Sequence, residues 1–129
     1  MIRRAITIRQ PWAWPIAESI KDIENRTWFD RTVSGAIYIH AGKEPAEDFE
    51  QIRFQIARDH DVLIPSLSEL QFGGFVAKAM FQPFVHESES PWFTGPIGYP
   101  IFSVVKIPFV PCRGAQGFWT IQENLKLAA

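Results

Sequence analysis

The sequence predicts an α+β fold: a curled, mostly antiparallel β-barrel of about five to six strands, with two or more helices flanking or plugging its openings. Three observations lead there. Short alternating runs of β-branched and aromatic residues recur along the chain, as half-buried strands require. Only two segments repeat their apolar residues at helical spacing. The 129 residues, 47% hydrophobic and 14% aromatic, suffice for one ordinary domain over 1–129 and leave no room for a second.

Each element follows from its own pattern. Residues 4–9 (Arg-Ala-Ile-Thr-Ile-Arg) alternate and predict the first strand. Trp12, Ile16 and Ile20 recur every four residues, which predicts one face of a short helix starting near Pro11 or Trp12. Pro15 falls in its first turn, where a missing N–H costs nothing. Residues 21–28 read as extended, with Asp22, Glu24, Arg26 and Trp28 on one face and Lys21, Ile23, Asn25 and Thr27 on the other. After a turn at Ser34-Gly35, residues 36–40 predict a central strand. There Tyr38 and His40 point away from Ile37 and Ile39, toward either a second core layer or a cleft wall.

Pro45 opens the clearest helix, 45–59, striped by Phe49, Ile52 and Ile56, with Glu44, Glu47, Asp48 and Glu50 favouring its N-terminus. A loop over 61–72 leads to the longest strand-like run, 73–85. The polar loop 86–96 precedes a strand over 97–108, and a turn-rich segment, 111–117, precedes a last short strand at 118–121.

Composition narrows the function. No apolar run approaches the ~20 residues of a membrane helix, and the opening Met-Ile-Arg-Arg is not followed by a signal-peptide core. A cytoplasmic protein without membrane partners is the expectation. Cys112 alone makes neither an internal disulfide nor a multi-cysteine metal site, and His40, His60 and His86 lack ligand spacing, so no metal or cofactor is expected. Arg113 beside Cys112 would activate the thiol; the alternative is a cysteine packed beside a turn. Gly-rich phosphate loops, H-E-x-x-H and G-x-S-x-G are absent. Net charge is −1, but unevenly spread: +3 over 1–43, −6 over 44–90 and +2 over 91–129. Two ends meeting in space would form a mildly basic region beside an acidic, solvated middle.

One stretch is denser in polar and aromatic groups than packing needs: Gln10-Pro11-Trp12, Lys21, Glu24, Arg26 and Trp28. The charged residues either pair among themselves to fix a corner, or form a site. In such a site cations hold phosphate, Glu24 meets a base donor and an aromatic face stacks a base.

Gln10-Pro11-Trp12-Ala13, then Ile20-Lys21, Glu24, Arg26 and Trp28, resemble the opening of the ASCH (activating signal cointegrator homology) domain, a PUA-like small β-barrel. Gly35 before the 37–39 strand, Ala41, Lys43 and Pro45 continue the resemblance. Ser88, Ser90, Pro91 and Trp92 resemble its S-x-S-P-aromatic loop, and Arg113-Gly114 with Phe118-Trp119 resemble its closing segment. By position, Lys21, Glu24 and Arg26 match a G-x-K-x-x-E-x-R motif in which Ser19 replaces the glycine that would cap a helix in the left-handed region.

The resemblance implies a cleft beside the first helix that binds RNA or a nucleotide-like small molecule. Its ligand-binding residues would be Gln10, Trp12, Lys21, Arg26, Lys43 and Arg113. The runner-up it implies is a metal-independent hydrolase in the same cleft, a ribonuclease or a modified-cytidine amidohydrolase, with Lys21 and Glu24 as catalytic residues. In the amidohydrolase branch a threonine stands where Glu24 stands here; a carboxylate would act as a general base on water and not as that hydroxyl nucleophile. A third reading is a coactivator-type protein-interaction module carried by the acidic helix.

Overall fold

The structure, a computed structural model, describes residues 2–128. Six strands, β1 (Arg4–Ile8), β2 (Ile23–Arg26), β3 (Gly35–Ala41), β4 (Gly74–Phe81), β5 (Ile97–Pro111) and β6 (Phe118–Thr120), form one sheet in the order β2-β5-β4-β3-β1-β6. All neighbours are antiparallel except β1 and β3, which run parallel with Ile6 opposite Ile39. A parallel pair needs a crossover, and helix α1 (Ala13–Ala17) with β2 supplies it.

The sheet curls into a half-barrel with two helices, in keeping with the expected α+β barrel-like fold, although it is not closed. The edge strands β2 and β6, of 4 and 3 residues, are too short to close it with a ladder. Side chains bridge the gap instead. Arg26 Nη2 donates to the Thr7 carbonyl at 3.0 Å, and Trp28 meets Phe118 edge-on at 5.8 Å. β1 and β6 pair, so the two weakly basic ends of the chain do meet; Arg3 Nη2 also donates to the carbonyls of Gln122 and Leu125.

Three apolar clusters hold the molecule. The barrel interior is built from β1, β3, β4 and β5 (Ile6, Ile8, Ile37, Ile39, Phe81, Tyr99) together with Ile16 of α1. Helix α2 (Phe49–His60) buries Phe49 and Ile56 against Ile23, Ile64, Leu70 and Trp92. On the outer face of the sheet, Tyr38, Phe75 and Ile107 are covered by Ile121, Leu125 and Leu127 of the C-terminal segment. Tyr38 therefore belongs to a second core layer, and so does His40, which packs edge-on against Phe75 and Trp119.

Three local expectations are corrected. Helix α1 ends at Ala17, so Ile20 leaves the Trp12–Ile16 stripe and is exposed. The reason is Ser19 at φ 62°, while the N–H groups of Ile20 and Lys21 both bond to the Pro15 carbonyl. Helix α2 starts at Phe49 and not at Pro45, because residues 43–48 turn first and Ala46 N–H bonds to the Gln10 carbonyl. Lys21 and Glu24 do not lie on opposite faces. Lys21 precedes β2, where strand alternation does not apply, and its side chain folds back over the strand.

Candidate functional site

The site begins with a buried ionic triad. Lys21 and Glu24 are only 3% and 6% exposed. Lys21 Nζ donates to the Ile23 carbonyl and, at 3.1 Å, to Glu24 Oε1. Arg26 Nε donates to Glu24 Oε2 at 3.0 Å. Both carboxylate oxygens are thus held by cations, and the triad keeps one net positive charge. Two ammonium protons of Lys21 have protein acceptors. The third has none among the described residues, and Nζ stands 5.7 Å from the centre of the Trp12 ring. Arg26 Nη1 makes no hydrogen bond to the described residues either, while its guanidinium lies 5.6 Å over Trp28.

These groups line a cavity of about 350 Å³ with Trp12, Asn25, Thr27, His60, Pro91, Trp92, Thr94 and Gly95. That volume suits a small molecule or one residue of a polymer. The far wall is the 88–95 loop, tied to β2 and the residue before it. Asp22 accepts from the Ser90 hydroxyl, whose oxygen accepts from Trp92 N–H. Asn25 donates to the Trp92 carbonyl at 2.9 Å and accepts from the N–H groups of Thr94 and Gly95. His60, the last residue of α2, lies flat on Trp92, with ring centres 3.6 Å apart and planes 8° apart.

The structure thus gathers Trp12, Lys21, Glu24 and Arg26 at one cavity, and Trp12, half-buried, bridges two apolar clusters there. Gln10 is elsewhere. Its buried carboxamide accepts from Trp14 N–H at 3.0 Å and donates to the Gln71 carbonyl at 3.1 Å, pinning α1 to the loop before β4. Trp14 is half-buried against the α2 cluster. Lys43 and Arg113 are exposed and outside the cavity lining. His60, Asn25, Thr27, Trp92 and Thr94 escaped the sequence reading as site residues; only the S-x-S-P-aromatic pattern at 88–92 marked this wall.

A second polar cluster lies across β1. His40, 1% exposed, places Nε2 2.7 Å from the Cys112 carbonyl, so Nε2 carries the proton and Nδ1 accepts. Nδ1 stands 3.2 Å from the Thr7 hydroxyl, whose oxygen accepts from Trp119 Nε1–H at 3.0 Å. Burial holds the imidazole below its ordinary value of 6.5, against a smaller upward pull from the Cys112 carbonyl. Gly114 closes the network from above: a Cβ there would lie 2.6 Å from His40 Cε1 and 2.7 Å from Thr7 Oγ1. Burial also pushes the Cys112 thiol above 9.0, so it is the packed cysteine beside a turn and not an activated one.

Among the described residues, no group of three His, Cys, Asp or Glu side chains assembles as a metal site, and no helix is long and apolar enough to cross a membrane. No protein-family model matches the chain, and no curated protein matches it.

Proposed function

We propose that the cavity binds the base and phosphate of RNA or a nucleotide-like small molecule, and that the chain is an ASCH-type, PUA-like module. The observation that carries this is the buried triad opening onto an aromatic-walled cavity. Desolvating the Lys21 and Glu24 charges is costly, and apolar side chains of similar volume would hold a corner as well or better. A triad with unused donors beside two indole rings offers what a nucleotide needs. Lys21 and Arg26 face acceptors or phosphate, the remaining lone pairs of Glu24 accept from base N–H groups, and half-buried Trp12 supplies stacking surface beside the Trp92 wall.

Isothermal titration with nucleoside monophosphates tests this. Lys21→Met keeps the Glu24–Arg26 pair and removes the ammonium, so it is expected to weaken binding at least tenfold, the scale of a lost charge-assisted bond. Unchanged affinity in the folded variant would refute the cavity as the binding site.

The contact between Lys21 Nζ and Glu24 Oε1 at 3.1 Å, inside a cavity, favours one second reading, a hydrolase. Glu24 would activate water and Lys21 would steady the developing oxyanion. Acylated cytidines and short RNA oligomers are the substrates to assay. Glu24→Gln would then lose about a hundredfold or more in rate with little change in ligand affinity. Turnover surviving in folded Glu24→Gln would exclude this carboxylate as the base.

A further inference from the structure

We propose that the loop leaving β2 is a stacking track for neighbouring nucleotides, so that the ligand is a single RNA strand and not a free mononucleotide. This rests on the cavity reading above and names its substrate class. Arg26 and Thr27 line the cavity, and the chain runs from them into Trp28-Phe29-Asp30-Arg31. Trp28 is 36% exposed and Phe29 50%. Each exposed ring carries a guanidinium: Arg26 lies 5.6 Å over Trp28 and Arg31 lies 5.2 Å over Phe29.

The platform is rigid. Trp28 packs against Phe118 and Tyr99, and Phe29 stacks on Phe84 at 4.8 Å. Asp30 N–H donates to the Tyr99 hydroxyl at 2.8 Å, which ties the loop to the barrel. Asp30 is the only carboxylate in residues 25–34. Its oxygens are taken by Arg4 and Thr32, which hold its carboxyl below the ordinary 3.8 and leave Arg31 without an acidic neighbour in the loop.

Position decides between partners. Arginine and aromatic residues enrich protein interfaces too, but this patch continues a cavity lined by Arg26 and Thr27, where cationic donors stay unpaired. Here both exposed rings have arginines over them, the composition of a cationic groove with stacking surfaces. Bases also stack on guanidinium planes, so Arg31 serves even where Phe29 and Phe84 cover each other.

The test compares uridine monophosphate with a short oligouridylate on the full chain. The oligonucleotide is expected to bind at least tenfold tighter and with a steeper salt dependence. Phe29→Ala combined with Arg31→Ala should abolish that gain and leave monophosphate affinity as in the parent protein. Arg31→Glu, at an exposed position, should do so without disturbing the ring packing, and Lys126→Ala should change neither. Arg31→Ala alone should flatten the slope of log affinity against log salt by about 0.7, one phosphate's share on a single strand. An oligonucleotide binding no tighter than the monophosphate, or a gain that survives Arg31→Glu and the double variant, overturns the track alone. Absence of monophosphate binding overturns the cavity reading instead, whatever the oligonucleotide does.

Discussion

Two buried polar clusters flank β1 and share Thr7, yet they are finished differently. On the outer face, the Trp119 indole, the Thr7 hydroxyl, the His40 ring and the Cys112 carbonyl form a closed chain in which every donor has an acceptor. On the cleft side, the Thr7 carbonyl holds Arg26, which with Lys21 grips Glu24, and the two cations keep donors free toward a cavity. A closed network stabilises the layer it sits in and offers a ligand nothing. An open one keeps donors toward accessible space, where a ligand can take them up. Buried polarity alone therefore does not mark a site; unfinished polarity facing space does.

Breaking the open cluster should have the largest effect on stability. Glu24→Ala leaves the buried Lys21 ammonium without its counter-ion and is expected to cost about 3 kcal/mol, the low end for a broken buried pair because Arg26 is partly solvated. Urea denaturation measures it, and a cost near zero would show the triad to be a surface-like pair. Breaking the closed cluster should cost less and leave binding alone. Thr7→Val orphans the Trp119 N–H and His40 Nδ1, for about 2 kcal/mol. It keeps the main-chain carbonyl that holds Arg26, so nucleotide affinity should not change.

The closed cluster also titrates. His40 is held neutral in the native state by burial, so the unfolded chain takes up its proton first as pH falls. Its contribution to stability is full above about 6.5 and declines below that pH. Urea midpoints at pH 7 and pH 5 should show the decline, and it should be smaller in His40→Gln.

The smallest expected effect lies at the turn between α1 and β2. Ser19 sits at φ 62°, where a side chain costs about 1–2 kcal/mol. Glycine relieves this at an entropic cost of about 0.5–1 kcal/mol. Ser19→Gly should therefore stabilise the protein by about 0.5 kcal/mol without altering binding. Destabilisation would mean that the serine hydroxyl contributes at this turn.

These differences explain what was legible in the sequence. Strands β1, β3 and β5 and the Phe49–Ile52–Ile56 stripe carry local patterns that mark the elements, although β3 is buried on both faces and β5 exposes Phe102 and Val105. Half-barrel geometry carries no such pattern, because it depends on strand length at the two edges and on Arg26 and Trp28 reaching across. The separation of Ile20 from Trp12 and Ile16 comes from one backbone angle at Ser19, the position that the sequence marks by a serine in place of the motif glycine. Lys21 and Glu24 pair because Lys21 stands just outside the strand, beyond the reach of alternation. Trp92 and His60 come from chain positions far from the Lys21–Arg26 motif, joined to it through Asp22, Asn25 and the end of α2. Contacts of that kind have no local signature.

The central claim is that the cleft-side cluster is open to ligand and the outer one is closed. Two-dimensional NMR of the indole N–H resonances reads both at once, since Trp12 and Trp92 line the cavity and Trp119 sits in the closed network. On titration with a nucleoside monophosphate, the Trp12 and Trp92 signals are expected to shift with saturation while Trp119 stays in place. Movement of Trp119 without Trp12 and Trp92, or no movement of any at millimolar ligand, would contradict the account.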